Sequence, residues 1–210
     1  MRLNVKKTKE MLITFGCKQV NCLPLTTANG VISRVGLTEF KLLGVIASSD
    51  LTWNKHVNYI VSRASKRLFA ICQLVRCGFS SSDIISFYCS LIRPILEYSC
   101  QVWHSGLTLR LSDEIESVQR RCLRIIFPQL SYADALFVAG LQRLDDRREQ
   151  AVVKLFNEMK CPAHILHGLL PTKPSRLISV TRDVYPYELR KTRTLRGSRS
   201  MIAYCVRRRF

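Results

Sequence analysis

The chain has 210 residues, of which 47% are hydrophobic and 23% charged, a balance that excludes wholesale disorder, collagen-like repeats and low-complexity protein and leaves room for one large domain or two small ones. Its 33 Lys and Arg against 15 Asp and Glu give a net charge of +18 and a pI near 10.0, so its natural partners are polyanions, with nucleic acid first among them. No stretch approaches the ~18 consecutive apolar residues of a spanning helix, so the expectation is a soluble protein with no membrane partner.

Residues 1–49 show short β-type runs, Met11 to Phe15, Val31 to Val35 and Phe40 to Ile46, punctuated by Gly16, Pro24, Asn29-Gly30 and Gly36. Together these predict a small antiparallel hairpin or sheet. From Asp50 the apolar period changes from two to about 3.6. Trp53, Val57, Ile60, Val61, Ala64, Leu68, Ile71 and Val75 mark one face of a helix, with Asp50 as a candidate N-cap and Gly78 as its stop. Arg63, Lys66, Arg67 and Arg76 are assigned to the opposite, basic face, available to solvent or phosphates.

A second helix is predicted from the Ser80-Ser81-Ser82-Asp83 cluster, carrying Ile84, Phe87, Tyr88, Leu91, Ile95 and Tyr98 inward and kinked at Pro94. A third is predicted from Ser112, with acids early and Arg120, Arg121 and Arg124 late, ended by Pro128. Two more, near Tyr132–Ala139 and Leu144–Lys160, flank Gly140 and complete a bundle over 50–160. The fold class expected is therefore mainly α: a helical bundle preceded by a small antiparallel β hairpin or sheet.

Residues 161–210 read as an irregular basic C-terminal tail containing Pro and Arg. Residues 171–210 alone hold 11 bases and 2 acids, half of the net charge. Tyr185, Tyr187, Tyr204 and Phe210 supply it with stacking or packing surface. Cys161, His164 and His167 are chemically suitable zinc ligands, but their spacing fits no finger or knuckle, and no metal site is expected. Nine cysteines, an odd number, follow a charged start at Arg2 to Lys7, which points to a reducing, intracellular compartment. Cys72, Cys89, Cys100 and Cys122 fit as small core residues. His104 reads as a packed, hydrogen-bonded side chain, and Asp145-Asp146 as a capping and salt-bridging pair.

Several strings, taken together and in order, resemble one family. Leu3 to Met11, Phe40-Lys41-Leu42-Leu43-Gly44-Val45, Asp50-Leu51-Thr52-Trp53 with His56-Val57, Ile92 to Tyr98, Val102-Trp103-His104 and Ile115 to Arg121 are similar to segments of the reverse transcriptases of non-LTR (LINE-type) retrotransposons, in the jockey-like and chicken-repeat-like branches. The resemblance implies that 1–49 is the end of a polymerase palm, that 50–160 is a thumb-type bundle with the region after it, and that 161–210 is the C-terminal extension. It implies a motif-D-like role for Lys7. It also implies a primer-grip-like hairpin at Phe40, Lys41, Leu42, Leu43 and Gly44, with Leu42 where an aromatic residue is more usual. Arg63, Lys66, Arg67 and Arg76 are the candidate nucleic-acid contacts, on RNA or DNA and in particular a template–primer duplex, without base specificity.

Phosphoryl transfer in that family uses two Mg²⁺ ions held by palm aspartates, one in an early strand and a pair in a Tyr/Phe-x-Asp-Asp hairpin, and that motif is not found in these 210 residues. Tyr132-Ala133-Asp134-Ala135 has one Asp and fits a helix. The simplest account is therefore a truncated copy beginning at an internal methionine: no enzyme by itself, without catalytic residues, cofactor or small-molecule substrate, and retaining nonspecific nucleic-acid affinity. Mg²⁺ is expected only in the complete parent enzyme. The alternatives are a stand-alone nucleic-acid-binding module retained from a mobile element, and a protein-interaction helical bundle. An arginine-rich tail is compatible with nuclear entry.

Overall fold

The computed structural model describes residues 4, 8–13, 22–28, 30–34, 39–172, 187 and 195–208. The chain divides into two compact units, Met1–His56 and Val57–Phe210. Lys7 lies outside the described residues, as do parts of the first two expected strands and most of residues 173–194.

In the first unit, β1 (Lys9–Glu10) pairs in parallel with β4 (Ser33–Arg34), and β2 (Thr26–Thr27) pairs antiparallel with β3 (Gly30–Val31). Glu10 accepts from Leu25 N at 2.7 Å and pairs with the Arg34 guanidinium. The clearest element is the antiparallel hairpin of β5 (Glu39–Leu42) and β6 (Val45–Ser48), in register from Glu39 opposite Ser48 to Leu42 opposite Val45. The expected run from Phe40 to Ile46 is therefore folded back on itself. Leu43 (φ 46°) and Gly44 (φ 90°) form a two-residue turn with both central residues at positive φ, the geometry that matches the twist of paired strands. Asp50 does not cap the following helix. Its carboxylate closes the Ser48–Thr52 turn instead, accepting from Thr52 N at 3.0 Å and from the Ser48 hydroxyl, with Leu51 at φ 50°. Helix α1 (Asn54–Arg76) starts four residues after it.

The second unit is the helical bundle. Val57, Ile60, Ala64, Leu68 and Ile71 of α1 are buried as their spacing requires, whereas Val75 remains 38% exposed. Helix α1 stops at Gly78, where φ is +78°: Gly78 N donates to Val75 O at 3.1 Å and Phe79 N to Leu74 O at 3.2 Å. This paired closure satisfies carbonyls that the helix leaves open, and it favours a residue without Cβ.

The next stretch corrects the expected inward face. Helix α2 (Ser81–Phe87), capped by Ser80 at the Asp83 amide, runs into a π turn over Tyr88–Ile92 and then α3 (Arg93–Glu97). Arg93 N reaches back to Tyr88 O, five residues away. The wider turn sets the buried stripe at Ile84, Tyr88, Ile92, Leu96 and Cys100, a strict spacing of four, and leaves Leu91 and Tyr98 44% and 54% exposed. Pro94, which has no N–H to give to a preceding carbonyl, sits in the first turn of α3 just beyond the wide turn. Ser99, at φ 51°, ends the run sharply. Helix α4 (Cys100–Trp103) follows, and the buried Trp103 indole donates to Tyr98 O at 3.0 Å.

Helix α5 (Leu109–Ile126) begins a turn before the expected Ser112, because Thr108 accepts from Leu111 N and Leu111 is already in the core. It ends before Pro128. Helices α6 (Tyr132–Ala139) and α7 (Leu144–Met159) match their expected spans, and Asp134 lies in the helical first turn of α6.

These helices are joined through a buried polar chain. Tyr88 Oη donates to Gln119 Oε1 at 2.7 Å, and Gln119 Nε2 donates to Tyr132 Oη at 3.1 Å and Gln142 O at 3.0 Å. Tyr132 Oη donates to Glu116, whose carboxylate also accepts Leu144 N at the start of α7 at 3.0 Å. Burial pushes both phenols up, and Glu116 adds to the effect at Tyr132. Asp145 is held below the usual carboxylate range by the Arg143 guanidinium, which it meets at 2.9 and 2.8 Å, so the pair forms the expected salt bridge, whereas the expected capping falls to Glu116, which accepts the first amide of α7.

The C-terminal stretch contains more regular structure than an irregular tail. Helices α8 (Leu195–Ser198) and α9 (Met201–Arg207) lie near the C-terminus, and α9 buries Ala203, Cys205 and Val206. Cys205 and Val206 join Val152, Phe156 and Tyr187 in one apolar cluster. Tyr204 Oη donates to Glu149 at 2.9 Å, and Arg208 pairs with the same carboxylate.

Two histidines are held neutral. Burial pushes His56 down to about 4, and its Nδ1 accepts Ile46 N at 3.3 Å. His104 is also pushed down to about 4, by burial and then by the Arg148 charge, and packs edge-on against Tyr204. Its Nδ1 finds no partner among the described residues, so it is packed as expected but not hydrogen-bonded there. With folded values below the ordinary ~6.5, the unfolded chain binds more protons between about pH 6.5 and 4. Stability therefore falls as pH drops through that window. Urea unfolding at stepped pH checks this, and His104→Gln should flatten part of the slope.

Candidate nucleic-acid interface

Helix α1 contains no acidic residue over its 23 positions. At about 100° per residue, its buried residues centre near Ala64 and Leu68, so Ser62, Lys66 and Gln73 lie on the opposite side. Arg63, Lys66, Arg67 and Arg76 are all exposed, but they are not one patch. Arg76 is nine residues, two and a half turns, beyond Arg67 and projects from the other flank.

The four differ in what holds them. Arg67 Nη1 donates to Leu91 O in the π turn, which makes it a strut between α1 and the α2–α3 run. Arg63 lies over the Tyr59 ring at 5.5 Å and donates to its hydroxyl at 3.3 Å. Lys66 and Arg76 make no hydrogen bond or ion pair with the described residues. On the Arg76 flank, Arg121 of α5 donates from Nη2 to Ser65 Oγ at 2.8 Å. Arg124 follows one turn later on α5 and is also exposed. Phe69, 68% exposed, stands one turn beyond Ser65 on α1. Sequence reading missed Phe69, Arg121 and Arg124 as surface features of this face. The available signal was that Phe69 follows Leu68 and so falls out of phase with the apolar stripe.

Other cations are committed inside the fold. Arg148 is fully buried, donates to Ser112 Oγ at 2.9 Å and faces the Trp103 ring at 5.9 Å, and burial lowers its pKa. Arg147 grips Glu97 at 2.5 and 3.1 Å. A groove of about 990 Å³ along α7 is lined by charges of both signs, Asp146, Glu149 and Glu158 with Arg143 and Lys154, and so presents no one-signed surface to a polyanion.

In the first unit, the β5–β6 hairpin carries Phe40, Lys41, Leu42, Leu43 and Gly44 along one strand and its turn. Leu43 at the tip is 85% exposed, and Leu42 59%. Lys55 pairs with Glu39 at 2.8 Å beside it.

Among the described residues, no group of three His, Cys, Asp or Glu side chains is placed to hold a metal ion. His164 Nδ1 accepts Leu166 N at 3.2 Å, and His167 Nδ1 lies 2.9 Å from Met159 O. The eight described cysteines are free thiols. Cys100 and Cys122 are buried, and burial pushes them up to about 11 and about 12, far from the reactive thiolate. No described helix is long and apolar enough to cross a membrane.

No protein-family model, curated protein or solved structure matches the chain.

The bonding separates Arg67 from its neighbours in a testable way. Arg67→Ala should cost about 1 kcal/mol in urea unfolding, the scale of one partly exposed charged hydrogen bond. It should leave any nucleic-acid affinity within about threefold, since one backbone contact of an already engaged side chain carries little. Lys66→Ala should stay within about 0.5 kcal/mol of the parent.

Proposed function

We propose that this chain is a nucleic-acid-binding segment of the kind found at the palm end and thumb of non-LTR retrotransposon reverse transcriptases. It holds RNA or DNA through phosphates and without base specificity. The observation that carries the proposal is the acid-free α1, which exposes Arg63, Lys66 and Arg76 while its apolar side is buried. A continuous helix with cations and no carboxylate on its solvent side produces a one-signed field, and releasing counterions from the bound polyanion supplies the free energy.

The family resemblance adds two roles. The β5–β6 hairpin is a primer-grip-like element whose tip, Leu43-Gly44, is a tight turn able to approach a strand end. Lys7 is the motif-D-like lysine. Polymerisation itself needs the paired metal-holding aspartates, which this sequence does not include, so the chain alone binds without extending. In this reading the acidic first turns of α6 and α7 and the buried Arg148 serve the fold, and α1 serves the ligand.

Two measurements test the reading. Binding to a 20-bp duplex, followed across about 50–200 mM salt, should weaken with a log–log slope of about −0.9 per phosphate neutralised, and Lys66→Ala should reduce the slope by about one contact. Flat salt dependence would instead favour a protein-interaction bundle. Primer extension by the purified chain with Mg²⁺ or Mn²⁺ should show no incorporation, and templated synthesis would overturn the noncatalytic assignment.

A further inference from the structure

We infer that the solvent face of α1 takes single-stranded nucleic acid in preference to duplex, with Phe69 as a stacking platform for an unpaired base and Lys66, Arg121 and Arg124 as contacts to the adjoining phosphates. This rests on the nucleic-acid reading above and names the substrate class for that face.

The argument starts from a residue the fold does not use. Leu68 fills the core position of this turn, at 7% exposure, and Phe69 turns about 100° away from it to stand 68% exposed. A large aromatic ring in water is ordinary when isolated. This one has cations on its own helix and on the neighbouring one. Lys66 is three residues earlier, close enough for the two side chains to be surface neighbours. Ser65, four residues earlier, anchors Arg121 from α5 at 2.8 Å, which brings a second helix's guanidinium to the same edge. That guanidinium has five N–H donors. One serves Ser65 and another makes a 3.4 Å contact to Ser117 O, so others remain to meet a phosphate. Arg124, one turn later on α5, is exposed as well.

The charge pattern selects the occupant. Neither α1 nor α5 from Ser117 onward carries an acidic side chain, so no carboxylate on these two stretches competes with phosphates for the cations. A duplex would satisfy the cations but leave the ring idle, because its base faces are stacked on one another. A single strand offers both groups at once: a π-face for Phe69 and a backbone for the flanking cations, the combination by which sequence-tolerant single-strand binding works. The contact reads no base edge, consistent with binding that does not depend on sequence.

The test uses the full chain and fluorescence anisotropy with two labelled probes, a 20-nucleotide oligo(dT) and a 20-bp duplex, at one fixed salt concentration. Phe69→Ala and Phe69→Leu should each weaken oligo(dT) binding by about tenfold, the scale of one lost stacking contact, and leave duplex binding within about twofold. Phe69→Trp should retain or improve oligo(dT) binding. Leu keeps the apolar bulk without the aromatic face, so a merely structural role would spare Phe69→Leu. Lys66→Ala should weaken both probes together. The inference is overturned if Phe69→Leu matches the parent on oligo(dT), or if the Phe69 variants weaken both probes alike. Parent protein that binds both probes while the Phe69 variants are neutral rejects the stacking platform and spares the nucleic-acid reading. Parent protein that binds neither rejects both.

Discussion

The side-chain amide of Gln119 is the interaction on which the bundle depends. It is fully buried, and it is satisfied on both sides because three separate segments converge on it: Tyr88 from the π turn, Tyr132 from α6 and the Gln142 carbonyl before α7. Tyr132 passes the chain on to Glu116, which holds the first amide of α7. A buried amide left half-paired costs more than the apolar side chain it replaces, so the network fixes the mutual placement of α2, α5, α6 and α7. The wide turn at Tyr88–Ile92 belongs to the same constraint, since it keeps Tyr88 on the buried stripe while the chain passes into Pro94.

Packing separates two groups of cations among the described residues. Arg143, Arg147 and Arg148 are bound to carboxylates, a hydroxyl or an indole face and contribute to the bundle. Lys66 and Arg76 stand on the solvent side of α1, with Arg121 beside it at Ser65, and Arg124 is exposed one turn later on α5. Net charge alone treats these groups alike, yet only the second population is available to an anion. Arg67 stands between them: it is exposed, but it is engaged with the Leu91 carbonyl.

The C-terminal helix shows how far a local signal can mislead. The stretch is rich in Arg and Pro and has no sustained period, the composition of a solvated arm. Met201–Arg207 is nevertheless a short helix whose Cys205 and Val206 meet Val152 and Phe156 of α7, with Tyr204 and Arg208 closing on Glu149. Seven residues carry too few turns for periodicity to register, and the partner surface is some fifty residues away in sequence. Only packing makes the segment helical and buried.

What was legible in the sequence followed from repeated, local chemistry. The helical period from Val57 to Ile71, the Ser80 cap, the stops at Gly78 and Gly140 and the spans of α6 and α7 each depend on groups within a few residues of one another, so a linear reading finds them. Tertiary structure decided the rest. It set the inward face of α2–α3 through the wide turn that keeps Tyr88 on Gln119. It also packed the C-terminal helix on α7 and brought Arg121 of α5 to Ser65 of α1. Those outcomes depend on which distant group claims each hydrogen bond and each apolar side, and a residue's own neighbours in sequence do not carry that information.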